Sequence, residues 1–176
     1  NIKRYYLKKC ITNNLGKVIE DDEKITCYVK RNKIKYMIHC FGVRKKHKEI
    51  AENYKLNKPI SYVIDGFEIK KYGAGIYGHN GCEVIIKNCN FKYGVNIHVD
   101  GNCSLNNVNL MAYFHQMISA NNLILKNINI ELIKVSGSEI GINFGAKDKI
   151  DVIDSIIGTE NKKSEISFFA SNELNV

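Results

Sequence analysis

The chain is 176 residues long, 44% hydrophobic and 25% charged, with a formal net charge of +8. That length suits one core-bearing domain, with or without an appendage. No apolar run approaches the roughly 20 residues a bilayer-spanning helix needs, and six cysteines without a Cys-x-x-Cys pair exclude the common zinc and dithiol motifs.

Charge is divided unevenly along the chain. Residues 1–58 hold 16 Lys and Arg against 6 Asp and Glu, whereas residues 59–176 hold 10 against 12. A polyanionic partner is therefore expected to meet the N-terminal part. Residues 25–30 and 34–41 alternate well enough for two strands, and Arg31-Asn32-Lys33 between them predicts a hairpin turn. Residues 44–55 place Ile50, Ala51 and Tyr54 on one face of a short helix whose other face is basic. The structural expectation is a basic hairpin-plus-helix cap over residues 1–58, covering the bare first edge of whatever follows. The functional expectation is an anion patch of Arg31, Lys33, Lys35, Arg44, Lys45, Lys46 and Lys48, with Tyr28, Tyr36 and Phe41 interleaved for stacking.

From Pro59 onward one phrase returns five times. It reads Val63-Ile64-Asp65-Gly66-Phe67-Glu68-Ile69, Ile85-Ile86-Lys87-Asn88-Cys89-Asn90-Phe91 and Ser104-Leu105-Asn106-Asn107-Val108-Asn109-Leu110. It continues as Ile124-Leu125-Lys126-Asn127-Ile128-Asn129-Ile130 and, loosely, as Val152-Ile153-Asp154-Ser155-Ile156-Ile157. Centred on Gly66, Asn88, Asn107, Asn127 and Ser155, the steps are 22, 19, 20 and 28 residues. A short β-prone unit at this period predicts stacked solenoid coils, none of which can bury its apolar face alone.

Two places before each centre stands a large aliphatic, and one and three places after it stand further apolar residues, the fifth copy being the loosest. Residues two before and one after cannot both point inward on a straight strand. The chain must bend between them, through a left-handed backbone that Gly and Asn tolerate best. A second strand family recurs between the centres and after the last: 76–79, 95–98, a slipped His115-Gln116-Met117-Ile118, then 140–144 and 166–169. Stacked coils would set Asn88, Asn107 and Asn127 above one another, with their amides bonding along the stack. This resembles the asparagine ladder of right-handed parallel β-helices, the pectin lyase-like superfamily, over residues 59–176. The fold expected is an all-β solenoid, a short right-handed parallel β-helix of about five coils behind the N-terminal cap.

The resemblance implies a possible polysaccharide lyase or glycoside hydrolase, but it covers architecture and ladder only. No Arg lies in the repeat region, and Gly78-His79-Asn80 is only a partial echo of the polygalacturonase Gly-His-Gly motif. No catalytic residue carries over, and no metal or cofactor is expected. Counting from the centres, His79 and His98 fall at the same outward position of successive coils. Asp100 follows on the same face, beside Tyr77, Asn96 and Gln116, giving a candidate binding face. Outward Asp65, Lys87, Asn106, Lys126 and Asp154 read as cross-strand charge pairing. Cys89 sits in an inward slot, and Cys82 and Cys103 open successive coils. Free buried thiols are expected, with a lean toward a reducing compartment. The function expected is a non-catalytic module that presents a strand face to a glycan or protein partner. The rivals are the carbohydrate-active enzyme and polyanion binding by the basic cap.

Overall fold

The computed structural model describes residues 4–8, 27–31, 35–41, 61–69, 73–133, 140–159 and 165–176. Among them lie fourteen strands and no helix. These are β1 (Arg4–Lys8), β2 (Cys27–Arg31), β3 (Lys35–Phe41), β4 (Ser61–Asp65), β5 (Glu68–Ile69), β6 (Gly73–His79) and β7 (Glu83–Phe91). They continue as β8 (Val95–Val99), β9 (Cys103–Ala112), β10 (Gln116–Leu132), β11 (Gly141–Ile153), β12 (Ile156–Thr159), β13 (Glu165–Ala170) and β14 (Glu173–Asn175). All pairings are parallel except β2 with β3. The chain is a parallel β-solenoid of about 5 turns.

Each full coil contributes strand segments to three faces. Face A stacks β1, β4, the first halves of β7 and β9, the middle of β10, the second half of β11, and β14. Face B stacks β5, the ends of β7, β9 and β10, and β12. Face C stacks β3, β6, β8, the starts of β10 and β11, and β13. The parallel stack begins before residue 59, because β1 and β3 extend faces A and C. The hairpin is present, with Cys27 opposite Cys40 and Arg31 opposite Tyr36. The expected helix over 44–55, with Ile50, Ala51 and Tyr54, lies outside the described residues.

The bends between faces A and B carry the backbone that the repeat demands. Gly66, Asn88, Asn107 and Asn127 have φ of 74°, 53°, 55° and 48°. Two of these amides bond along the stack: Asn107 Nδ2 donates to Asn88 Oδ1 at 2.8 Å, and Asn88 Nδ2 to Asp65 Oδ1 at 2.9 Å. Inward aliphatics form one continuous core, with Ile86, Leu105, Leu125, Val108 and Ile128 all buried.

The fifth repeat is centred one residue earlier than the spacing predicts. Its left-handed residue is Asp154, φ 47°. Leu125 pairs with Val152 and Asn129 with Ile156, so Val152 and Ser155 take the inward slots expected for Ile153 and Ile156. Ile153 and Ile156 face outward instead, 42% and 70% exposed. Ser155 is tolerated inside because its hydroxyl donates to Ile153 O at 2.8 Å and accepts from Ile128 N at 3.2 Å. The shift also removes Asp154 from the charge ladder, where Ile153 follows Lys126. At the other end of that ladder, Lys87 pairs with Asp65 at 3.4 Å.

Candidate binding groove on face C

Register on face C differs by two residues from the count made back from the centres. Tyr77 pairs with His98 and Gly75 with Asn96. His79 and His98 are therefore not equivalent, and His79 lies one step past the Gly78–Val99 pair, beside Asp100. The cause is the corner leading to face A. Gly78 pairs with Val99 and Val84 with Cys103, so residues 79–83 turn one corner while only 100–102 turn the next. Asn80 and Gly81, with φ of 58° and 70°, form the longer turn.

The outward column through His98 runs Tyr77, His98, Ser119, Gly145, Phe169 on successive rungs. Two rings are followed by a hydroxymethyl, then no side chain, then a ring. With rungs about 4.8 Å apart, His98 and Phe169 stand roughly 14 Å from each other. The gap between them is a groove of about 580 Å³, floored by Ser119, Ala120, Gly145 and Ala146. His79, Asp100, Lys147 and Ser171 also line it, and Phe169 is 62% exposed.

Polar groups in the groove are arranged in pairs. His98 Nδ1 lies 2.7 Å from Ser119 Oγ. Lys147 Nζ lies 3.7 Å from Asp100 Oδ1, both side chains well exposed. His79 Nε2 lies 3.1 Å from His39 Nδ1, their rings stacked at 5.4 Å, and His39 also stacks on Tyr77 at 4.9 Å. Partial burial holds the His79 imidazole below its ordinary 6.5. His98 lowers it further, while Asp100 acts in the opposite sense.

Of the six residues expected on this face, His79, His98 and Asp100 line the groove, and Tyr77 stands beside them in the aromatic column. Asn96 lies off the groove, its Oδ1 accepting the Met117 N–H at 2.9 Å. Gln116 is a correction: it points inward and is buried, taking the slot of Val95 one rung below. Its Oε1 accepts the Val95 N–H at 3.1 Å, and its amide packs under Gly94. Ser119, Gly145, Lys147 and Phe169 were missed by spacing. The outward phase of Phe169 in the fifth copy, beside inward Phe168, was the readable signal.

Of the expected anion patch, Arg31 ends β2 and Lys35 begins β3, across the hairpin. Lys33, Arg44, Lys45, Lys46 and Lys48 lie outside the described residues. Among the described residues, the side chains of Cys40, Cys82, Cys89 and Cys103 are buried. Burial pushes the Cys89 thiol up to about 11 and that of Cys103 further still, which leaves both poor nucleophiles. No described group of His, Cys, Asp and Glu is arranged to hold a metal ion, and no described helix is long and apolar enough to cross a membrane. No family model matches the chain, and no curated protein or solved structure matches it.

Proposed function

We propose that the chain is a non-catalytic binding module whose face C groove holds a segment of a glycan. One observation carries this reading. In an otherwise regular ladder, the column His98, Ser119, Gly145, Phe169 opens a groove with an exposed ring at one end and hydrogen-bonding groups at the other. A sugar offers both an apolar C–H face and hydroxyls, and that pairing of surfaces suits it. The pectin lyase-like resemblance is consistent with such a ligand, but it rests on the solenoid and its ladder alone.

The Ser119–His98 contact also suggests a nucleophile with its base, and hence ester or glycan hydrolysis. Acyl transfer needs donors aimed at a developing oxyanion. Ser119 sits on a strand, paired with His98 and Gly145, rather than at the turn or helix N-terminus that aims several N–H donors at one point. Binding is therefore favoured over catalysis. Polyanion binding through the basic N-terminal residues remains the separate reading drawn from their charge.

Gly145→Trp supplies the test. A Cβ at Gly145 would meet only Ser119 Cβ at 3.7 Å, so the indole fills the groove without backbone strain. A glycan array followed by calorimetry should show binding by the wild type, at least about tenfold weaker binding by Gly145→Trp, and weakening by Phe169→Ala. Unchanged binding in both variants rules the groove out. Release of shortened or deacylated product would replace this reading with the enzyme.

A further inference from the structure

We propose that the same groove becomes an anion site as the pH falls, accepting a sulfate, phosphate or carboxylate group on its ligand. This deepens the binding reading above and rests on the same groove. The groups facing His79 among the described residues are His39 from β3, Tyr77 from β6, His98 and Asp100 from β8 and its end, and Lys147 from β11. At neutral pH the fixed charges are Lys147 and Asp100, which oppose each other at 3.7 Å and sum to zero. Among the described residues, Asp100 is the only carboxylate in the groove lining, against two imidazoles and an ammonium. Protonation therefore moves the groove in one direction, toward positive charge.

The hydrogen-bond geometry changes in the same sense. When His98 is charged, both ring nitrogens carry hydrogen, so Nδ1 must donate to Ser119 Oγ. The hydroxyl hydrogen is then free to point into the groove as a donor. Lys147 is held only by an exposed, long ion pair and can turn from Asp100 to an incoming anion. Two imidazolium groups lining the same groove would repel each other, and an anion bound beside them relieves that repulsion. Anion binding and proton uptake are thereby linked: each favours the other. The low proton affinity of His79, caused first by burial and then by His98, is the cost that such an anion offsets.

The test follows the histidine ring signals of the full chain by NMR between pH 8 and 5, in sodium sulfate and in sodium chloride at equal ionic strength. Sulfate should move the His79 midpoint upward, and its dissociation constant should fall at least about tenfold from pH 7.5 to 5.5. His79→Gln and His98→Gln should each reduce that pH dependence, and Gly145→Trp should abolish it. Midpoints identical in the two salts overturn the proposal, as does a sulfate response that survives Gly145→Trp. Binding of a neutral glycan at pH 7.5 without sulfate linkage would sink this inference alone. Sulfate linkage without any glycan binding would sink only the glycan reading.

Discussion

Tyr77 lies in register with His98 on adjacent rungs of face C, one residue pair away from the corner that shifts the register. This pairing puts Tyr77, rather than His79, in the column with His98, Ser119, Gly145 and Phe169. His79 consequently approaches the groove from beside Asp100 and stacks on His39. The offset thereby sets His79 in the groove lining beside Asp100 rather than in the column next to His98.

The shifted fifth repeat can be tested by comparing two aliphatic truncations. Leu125 is fully buried, and Leu125→Ala should cost about 2–5 kcal/mol through lost transfer energy and a cavity. Ile156 is 70% exposed, so Ile156→Ala should change stability by no more than about 0.5 kcal/mol. Denaturant melts of the two variants decide the matter. Comparable losses would restore Ile156 to the core and return the centre to Ser155.

The bends should distinguish backbone conformation from side-chain bonding. Asn107→Gly and Asn107→Ala both remove the amide that donates to Asn88, but only alanine must hold a φ of 55° with a Cβ. Asn107→Ala should therefore be less stable than Asn107→Gly, by about 1 kcal/mol. Equal stability in chemical denaturation would mean that the bend imposes no left-handed requirement.

Two glycines, Gly94 just before β8 and Gly145 in β11 two rungs further on, should respond differently. At Gly94, φ is 85° and an added Cβ would lie 2.0 Å from Gln116 Nε2. Gln116 cannot withdraw without abandoning the buried Val95 N–H. Gly94→Ala should cost roughly 2 kcal/mol or more from strain and overpacking. Gly145→Ala meets only an ordinary contact and should lie within about 0.5 kcal/mol of wild type. Thermal melts showing Gly145→Ala to be the worse variant would contradict the face C packing.

Much of the solenoid was legible because its signal is local. The aliphatic two before Asn88, Asn107 and Asn127, and the apolar residue after each, encode one bend that needs no distant information. Register across corners was not legible. The 79–83 corner is two residues longer than the 100–102 corner, and alternation is blind to a shift of two because each side chain keeps its inward or outward phase. The same blindness hid the groove, which arises from the side-chain sizes of Ser119, Gly145 and Phe169 summed across rungs. Gln116 illustrates the other limit: a polar residue in an inward slot is readable only once the Gly94 corner that accommodates it is seen.

The last prediction concerns stability against pH. His79 binds its proton less readily in the folded chain than its ordinary 6.5, first because of burial and then because of His98. The unfolded chain therefore takes up a proton at higher pH than the folded one. The His79 contribution is fully present above pH 6.5, declines as pH falls from there through the lower folded value, and is lost below it. Between those limits the wild type should lose stability with acid more steeply than His79→Asn, measured by urea unfolding at matched ionic strength. Sulfate should reduce the wild-type loss if the groove takes an anion, because binding to the charged folded state opposes the protonation of the unfolded one. Parallel pH profiles for wild type and His79→Asn would show that proton uptake by His79 makes no difference to folding.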